Sequence, residues 1–113
     1  MAKKPQLKQP KESQIQKAIL DWLRWQGVFC WKVNNAGIKK PNGGYIPTGK
    51  KGVSDIIGVL KGGIFLAIEV KRPGCYPSEF QKDFIKGIQE SGGIAFVAHS
   101  VFDVELSLKE YFL

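Results

Sequence analysis

The sequence predicts an α/β fold, a mixed sheet of about four strands flanked by helices, in the order α-β-β-β-α-β-α. Three observations support this prediction. Apolar residues recur at helical spacing in two segments, one ending at Gly27 and one at Gly92. Two apolar runs joined by Lys61-Gly62-Gly63 predict a β-hairpin. The unbroken apolar run of residues 94–98 is typical of a buried central strand.

In the first half of the chain, the residue pattern predicts a helix, a strand and a long loop. The helix spans about Glu12 to Gln26, because Ile15, Ile19 and Leu23 share one face. A strand from Val28 to Val33 follows. Residues 34–52 are then rich in Gly, Pro, Asn and Lys, and a connection of this length is usually functional or mobile. We interpret it as a substrate-facing loop.

The central hairpin places acidic residues at its outer end. Its strands are predicted at residues 55–60 and 64–70. If the hairpin is centred on Gly62, Asp55 lies across from Glu69, where opposed residues are roughly 4.5–5.5 Å apart and like charges repel. Lys71 follows two residues later and shares the face of Glu69. The two carboxylates therefore favour a cation between them, although Lys71 could instead neutralise one of them in a sheet-edge ion pair.

Two further helices are predicted after the hairpin. One opens at Ser78-x-x-Gln81, a capping box in which the glutamine side chain reaches back to the cap backbone. The other runs from Ser100 to Leu113, with Ser100 as the N-cap.

Length and composition predict one domain. We divide the 113 residues into a basic, flexible tail (1–11) and a single domain (12–113). No apolar run is long enough to span a membrane, and no signal-peptide pattern opens the chain. The two cysteines, Cys30 and Cys75, are too few for a disulfide framework or a zinc site. We therefore expect a cytoplasmic protein without membrane association or zinc.

The net charge of +7 is unevenly distributed and indicates a polyanionic partner. Residues 1–51 hold 11 Lys and Arg against two acids, whereas residues 52–113 hold 6 against 8. A soluble basic surface is the alternative explanation. The candidate residues for contact with such a partner are Asn34, Asn35, Lys39, Lys40, Lys50, Lys51 and Arg72.

The chain resembles the virus-type replication-repair nuclease (VRR-NUC) domain family of the PD-(D/E)xK superfamily. The resemblance is carried by Gly52-x-x-Asp55, by Glu69-Val70-Lys71, by Gln81-x-x-Phe84 and by the Gly-Gly-Ile-Ala-Phe-Val run at 92–97, and it covers about residues 12–113. Ser54 stands where the superfamily name implies proline.

The resemblance implies a restriction-endonuclease-like core and specific residue roles. Asp55, Glu69, Lys71 and Gln81 are the implied catalytic residues. Asp55 and Glu69, with the main-chain carbonyl of Val70, would ligate Mg²⁺ or Mn²⁺, which are hard cations that prefer oxygen. Glu12 would contribute directly or through water, although an acid near a helix N-terminus is also favourable structurally.

The implied function is metal-dependent DNA endonuclease activity. Structured or branched DNA in replication, recombination or repair is the expected substrate, as for a Holliday-junction-resolvase-like enzyme, and a homodimer is the expected assembly. Two alternatives stay open: a DNA-binding module of the same fold with little or no turnover, and an RNA-processing nuclease.

Overall fold

A four-stranded mixed sheet with helices on both faces organises the chain. The computed structural model describes residues 9–34, 38–46 and 49–112. Most of the predicted tail (1–11), together with Asn35, lies outside these ranges. In chain order the elements are α1 (Glu12–Trp25), β1 (Phe29–Lys32), β2 (Ile38–Lys39), β3 (Tyr45–Ile46), β4 (Ile56–Leu60), β5 (Ile64–Val70), α2 (Glu79–Glu90), β6 (Ile94–Ala98), α3 (Val101–Leu108) and a 3₁₀ turn at Lys109–Tyr111.

The main sheet has the strand order β1-β4-β5-β6. The β1–β4 and β4–β5 pairs are antiparallel, and β5 and β6 are parallel. Ile56 pairs with Ile68 and Leu60 with Ile64, so one more step places Asp55 across from Glu69. The turn supports this register because Gly62 and Gly63 both have positive φ, a conformation that L side chains rarely adopt. The predicted centre of the hairpin is confirmed.

The two faces of the sheet bury separate apolar clusters. On one face α1 and α3 pack over the alternate side chains of β4 and β5, including Ile56, Leu66 and Ile68. On the other face α2 packs through Ile85 over Ala67 and Ala95. Because side chains alternate along a strand, Glu69 belongs to the α2 face with Ala67. The packing of the core therefore directs the side chain of Glu69 towards the α2 face of the sheet.

Two sequence predictions are corrected. The closing helix does not run from Ser100 to Leu113: α3 ends at Leu108, and the chain tightens into the 3₁₀ turn. This tightening brings Phe112 onto Trp22, with the ring centroids 5.5 Å apart in an edge contact. The segment predicted as a loop also contains β2 and β3, a separate two-stranded sheet. In the described ranges, no helix has the length and apolar character needed to cross a membrane.

Candidate active site

Asp55 is held at the open end of the hairpin by both neighbouring strands. Its main-chain carbonyl accepts a hydrogen bond from the Val33 N–H at 2.7 Å. Its side-chain Oδ2 accepts from the Val70 N–H at 2.8 Å, just beyond the last β4–β5 pair. The carboxylate of Asp55 thus takes a main-chain donor of β5 and lies beside the residue that follows Glu69.

Glu69 is buried with only part of its hydrogen-bonding capacity used. Its side chain is 1% exposed. Oε1 accepts from Gln81 Nε2 at 2.9 Å and lies 3.8 Å from Lys71 Nζ. Oε2 is buried and has no hydrogen-bond partner among the described residues. A buried carboxylate oxygen without a donor is unfavourable, so this atom marks a place for a proton or a cation.

The surroundings of Glu69 raise its pKa to about 8. Burial is the largest cause, because it disfavours the charged form. The charges of Asp55 and Glu12 raise the pKa further, whereas the charge of Lys71 lowers it. A cation between the two carboxylates would reverse this balance and keep Glu69 ionised.

Gln81 joins the start of α2 to Glu69. Its Oε1 accepts from the Ser78 N–H at 2.8 Å, and Ser78 Oγ accepts from the Gln81 N–H at 3.3 Å. These bonds form the predicted capping box. The Nε2 of the same amide donates to Glu69. The capping role and the contact with the acidic pair, which the sequence presents as competing explanations, therefore coexist in one side chain.

Gly52 allows the start of α2 to approach the hairpin. Its φ is +80°, and a Cβ atom at this position would overlap the carbonyl oxygen of Phe80 and lie 2.9 Å from the Gln81 nitrogen. Only glycine combines this backbone conformation with such a close approach. The glycine of the Gly52-x-x-Asp55 motif thus positions the helix that carries Gln81.

His99 contacts the main chain just after β5, and the sequence did not identify it as a site residue. Its ring Nδ1 lies 3.1 Å from the Lys71 carbonyl oxygen and 3.3 Å from that of Arg72. Because both partners are acceptors, Nδ1 carries the hydrogen. The β5–β6 register places residue 99 beside residue 71, and a parallel register has no local sequence signal.

A cleft of about 480 Å³ opens beside Asp55. It is lined by Gln16, Lys32, Val33, Asn34 and Asp55, of which only Asn34 and Asp55 were predicted as site residues. Gln16 is a buried polar residue on the apolar face of α1. The signal that could have identified it is its position four residues after Glu12, which places both side chains on the same face of the helix.

The remaining predicted residues lie at varied distances from the acidic pair. Glu12 is half-buried and close enough to Glu69 to affect its pKa. Lys50 and Lys51 line a different hollow against α2, where Lys51 Nζ lies 5.1 Å from the centroid of the Phe80 ring. Among the other predicted DNA-binding residues, Lys40 and Arg72 are exposed, and Lys39 belongs to β2.

The donor set of Asp55 and Glu69 fits a divalent cation. Carboxylate oxygens are the ligands that Mg²⁺ and Mn²⁺ prefer. The buried Oε2 of Glu69 has no donor among the described residues. Within those residues no three acidic, histidine or cysteine side chains form a cation site by themselves. A main-chain oxygen or water would therefore complete the coordination.

Comparisons with known proteins show what this chain is similar to. The sequence model of the VRR-NUC domain matches residues 10–102. A solved structure described as "VRR_NUC domain" has a TM-score of 0.66 and 21% identity, covering 90% of this chain and 97% of that one. A second, described as "VRR_NUC domain protein", has a TM-score of 0.60 and 22% identity, covering 92% and 89%. No curated protein matches the chain.

The similarity to these two solved structures establishes that this chain shares their fold, with its four-stranded mixed sheet. The sequence match extends over most of the chain, from α1 to the start of α3, and includes Asp55, Glu69, Lys71 and Gln81. The chain therefore belongs to the VRR-NUC domain family, which implies a nuclease of the restriction-endonuclease-like fold.

Proposed function

We propose that the chain is a Mg²⁺- or Mn²⁺-dependent DNA endonuclease that hydrolyses phosphodiester bonds, with structured or branched DNA as its substrate. The observation that carries the proposal is the pair formed by the buried Glu69 and the half-buried Asp55, with Lys71 beside it. Burying a carboxylate beside a second acid lowers stability, and a purely structural role does not require it.

Each polar side chain has a place in this reaction. Asp55 and Glu69 would hold the cation through carboxylate oxygens, with the carbonyl of Val70 as a further ligand and Glu12 as a direct or water-mediated one. The bound ion would supply positive charge that polarises a phosphoryl oxygen and lowers the pKa of water. Lys71 orients or deprotonates the attacking water, or stabilises charge on the phosphate. Gln81 fixes the rotamer of Glu69.

The distribution of charge supports a nucleic-acid substrate. The cleft beside Asp55 has Lys32 and Asn34 in its wall, and Lys40, Lys50, Lys51 and Arg72 are exposed. Lysine and arginine contacts with phosphates provide affinity that does not depend on base sequence. These residues, together with Asn35 and Lys39, are the proposed DNA-binding set.

The decisive experiment is cleavage of end-labelled duplex, four-way-junction and RNA substrates with Mg²⁺, Mn²⁺ or EDTA. Asp55→Asn retains an acceptor for the Val70 N–H, and Lys71→Met retains the apolar stem, so both variants should fold. We expect each to lower the cleavage rate by about a hundredfold or more. Lys86→Met, in an exposed ion pair with Glu90 on α2, is the matched control and should cleave normally.

The same experiment tests the two alternatives. Binding of DNA without cleavage under any metal, by folded wild-type protein, would indicate a DNA-binding module. Preferential cleavage of RNA would indicate an RNA-processing nuclease.

We also propose a homodimer, which would allow two sites to act on two strands. The exposed side chains of Phe102 and Leu106 lie one turn apart on α3 and form an apolar surface suited to a second copy. Light scattering should give twice the mass of one chain, and Leu106→Lys should reduce it to that of a monomer. A wild-type monomer at micromolar concentration would contradict this proposal.

A further inference from the structure

Exposed aromatic rings lie on the same sheet face as the acidic pair. We use the name aromatic ledge for Phe29, Trp31 and Phe65. Their exposed fractions are 72%, 42% and 38%, although large aromatic side chains in a sheet are usually covered. Phe29 and Trp31 touch, with ring centroids 5.5 Å apart. The ledge therefore presents two touching rings on β1 and a third ring on β5, with Val59 of β4 between Phe29 and Phe65.

The strand register places the ledge beside the site. Trp31 pairs with Ile57, and Ile57 pairs with Ala67, so these three side chains share the α2 face of the sheet. Glu69 lies two residues beyond Ala67 on that face. With strands about 4.8 Å apart and about 3.3 Å per residue along each strand, Trp31 lies roughly 12 Å from Glu69.

Helix α2 covers only part of this face. It packs on β5 and β6 and buries Ala67 and Ala95. The β1 side, where Phe29 and Trp31 lie, is left open by the described residues.

Positive charge flanks the ledge at both ends. Lys61 and Phe29 line the same hollow of about 580 Å³. Beyond the other end, Lys32 follows Trp31 on the edge strand β1 and lines the cleft beside Asp55. Because Lys32 pairs with Ile56, its side chain starts from the opposite face of the sheet, at the exposed edge of β1. The strands β1, β4 and β5 and the turn between β4 and β5 contain no exposed acidic residue, since Glu69 is buried. A polyanion complements this surface.

A second copy of the chain is a poorer occupant of the ledge. Its own Lys32 and Lys61 would lie close to Lys32 and Lys61 of the first copy, and these like charges would repel. β1 is an edge strand, and an exposed lysine on such a strand discourages pairing between sheet edges.

We infer that the aromatic ledge binds unpaired bases of a nucleic-acid strand whose phosphate backbone follows Lys61 and Lys32 towards Asp55. Bases stack on exposed aromatic rings regardless of their identity, while nearby lysines contact the phosphates. The inference rests on the proposed nuclease function and specifies its substrate: nucleic acid with a single-stranded stretch beside the cleaved bond.

Fluorescence anisotropy in EDTA, at one fixed salt concentration, measures this binding without turnover. The probes are a labelled single strand, the duplex of the same sequence, and a strand of equal length made of abasic sites. We expect Phe29→Ala and Trp31→Ala each to weaken single-strand binding about tenfold. Trp31→Phe should restore most of the affinity, because it retains an aromatic face.

Trp25→Ala is the matched control, because Trp25 is 88% exposed and lies on α1, which packs on the opposite face of the sheet. It should leave the affinity unchanged. The wild type should bind the abasic strand about tenfold more weakly than the normal strand, and Phe29→Ala should lose most of this preference.

Equal affinities of Phe29→Ala and Trp25→Ala for the single strand would overturn the inference. So would a change from dimer to monomer in Phe29→Ala with unchanged affinity, which would assign the ledge to contact between copies. The binding assay requires no cleavage. Failure of the ledge variants to weaken binding would therefore contradict this inference alone, whereas absence of cleavage would contradict the proposed nuclease function.

Discussion

Helices α2 and α3 begin with the same local pattern but serve the site differently. In each, a serine N-cap accepts a hydrogen bond from the N–H of the third helical residue: Ser78 from Gln81, and Ser100 from Asp103. In each, the side chain of that third residue also accepts a main-chain N–H at 2.8 Å. The two starts differ in what they contact next.

The start of α2 contacts a side chain that can change charge, whereas the start of α3 supports the main chain. Gln81 donates to the carboxyl group of Glu69. Asp103 accepts from the N–H of His99, whose ring contacts the carbonyls of Lys71 and Arg72. We therefore expect changes near α2 to alter the chemistry of the site and changes near α3 to alter mainly its stability.

The largest expected effect comes from Gly52→Ala, which displaces the start of α2 without removing any polar atom. The new Cβ would overlap the Phe80 carbonyl at a positive φ. We expect a loss of about 4 kcal/mol in the free energy of unfolding, together with loss of cleavage. Urea unfolding measures the first quantity.

Gly49→Ala is the matched control for Gly52→Ala. Gly49 also has a positive φ, but a Cβ there would contact nothing within 4 Å. It should lose only about 1 kcal/mol. Equal losses in the two variants would show that backbone strain, rather than the approach to α2, is responsible.

The raised pKa of Glu69 predicts that the free energy of unfolding falls as the pH rises, and that Glu69→Gln removes the contribution of this group to the fall. The folded pKa of about 8 exceeds the ordinary value of 4.5, so between these values the folded state holds a proton that the unfolded state has lost. In EDTA this group should lower wild-type stability by about 1.4 kcal/mol for each pH unit between about 5 and 8.

Glu69→Gln keeps an acceptor for Gln81 and should reduce this slope to that of the remaining groups. Saturating Mg²⁺ should reduce the wild-type slope as well, because the ion favours the ionised carboxylate. Parallel wild-type and variant curves in EDTA would contradict the assigned pKa.

Gln81→Ala and Asp103→Ala compare the two helix starts directly. Each variant removes the third helical side chain and a hydrogen bond, so each should lose about 1 kcal/mol of stability. Only Gln81→Ala also releases Glu69, and we expect about a tenfold lower cleavage rate per folded molecule. A similar rate loss in both variants would remove the distinction between the two starts.

The smallest effect is expected at Ser54, whose buried hydroxyl has no hydrogen-bond partner among the described residues. Ser54→Ala removes an unsatisfied polar group and should raise the free energy of unfolding by up to about 1 kcal/mol. Thermal unfolding measures it, with the exposed Ser107→Ala as control. A clear loss of stability would show that the hydroxyl has a partner in solution.

The sequence predicted the features that depend on local pattern. The bounds of β5 and β6 follow from apolar runs ended by glycines or charges, and the hairpin register follows from the glycine turn. The α2 cap follows from the Ser78-x-x-Gln81 spacing. These elements bring Asp55, Glu69 and Lys71 together.

Features that depend on long-range packing were not predictable in the same way. The contact of Gln81 with Glu69 and that of His99 with Lys71 depend on how α2 and β6 pack against β5. Gln16 was missed because the stripe on α1 was defined by apolar residues alone, and a buried polar residue does not contribute to that pattern.

The orientation of the Gln81 amide determines where a proton can reside. The Ser78 N–H can only donate, so Oε1 of Gln81 faces it and the NH₂ group faces Glu69 Oε1. When Glu69 is neutral, its proton therefore belongs on Oε2, the oxygen that has no hydrogen-bond partner among the described residues. In cation-free protein at neutral pH, the pair is thus less negative than two free carboxylates. Under the proposed function, a DNA strand that approaches the site before any cation is bound would meet correspondingly weaker repulsion.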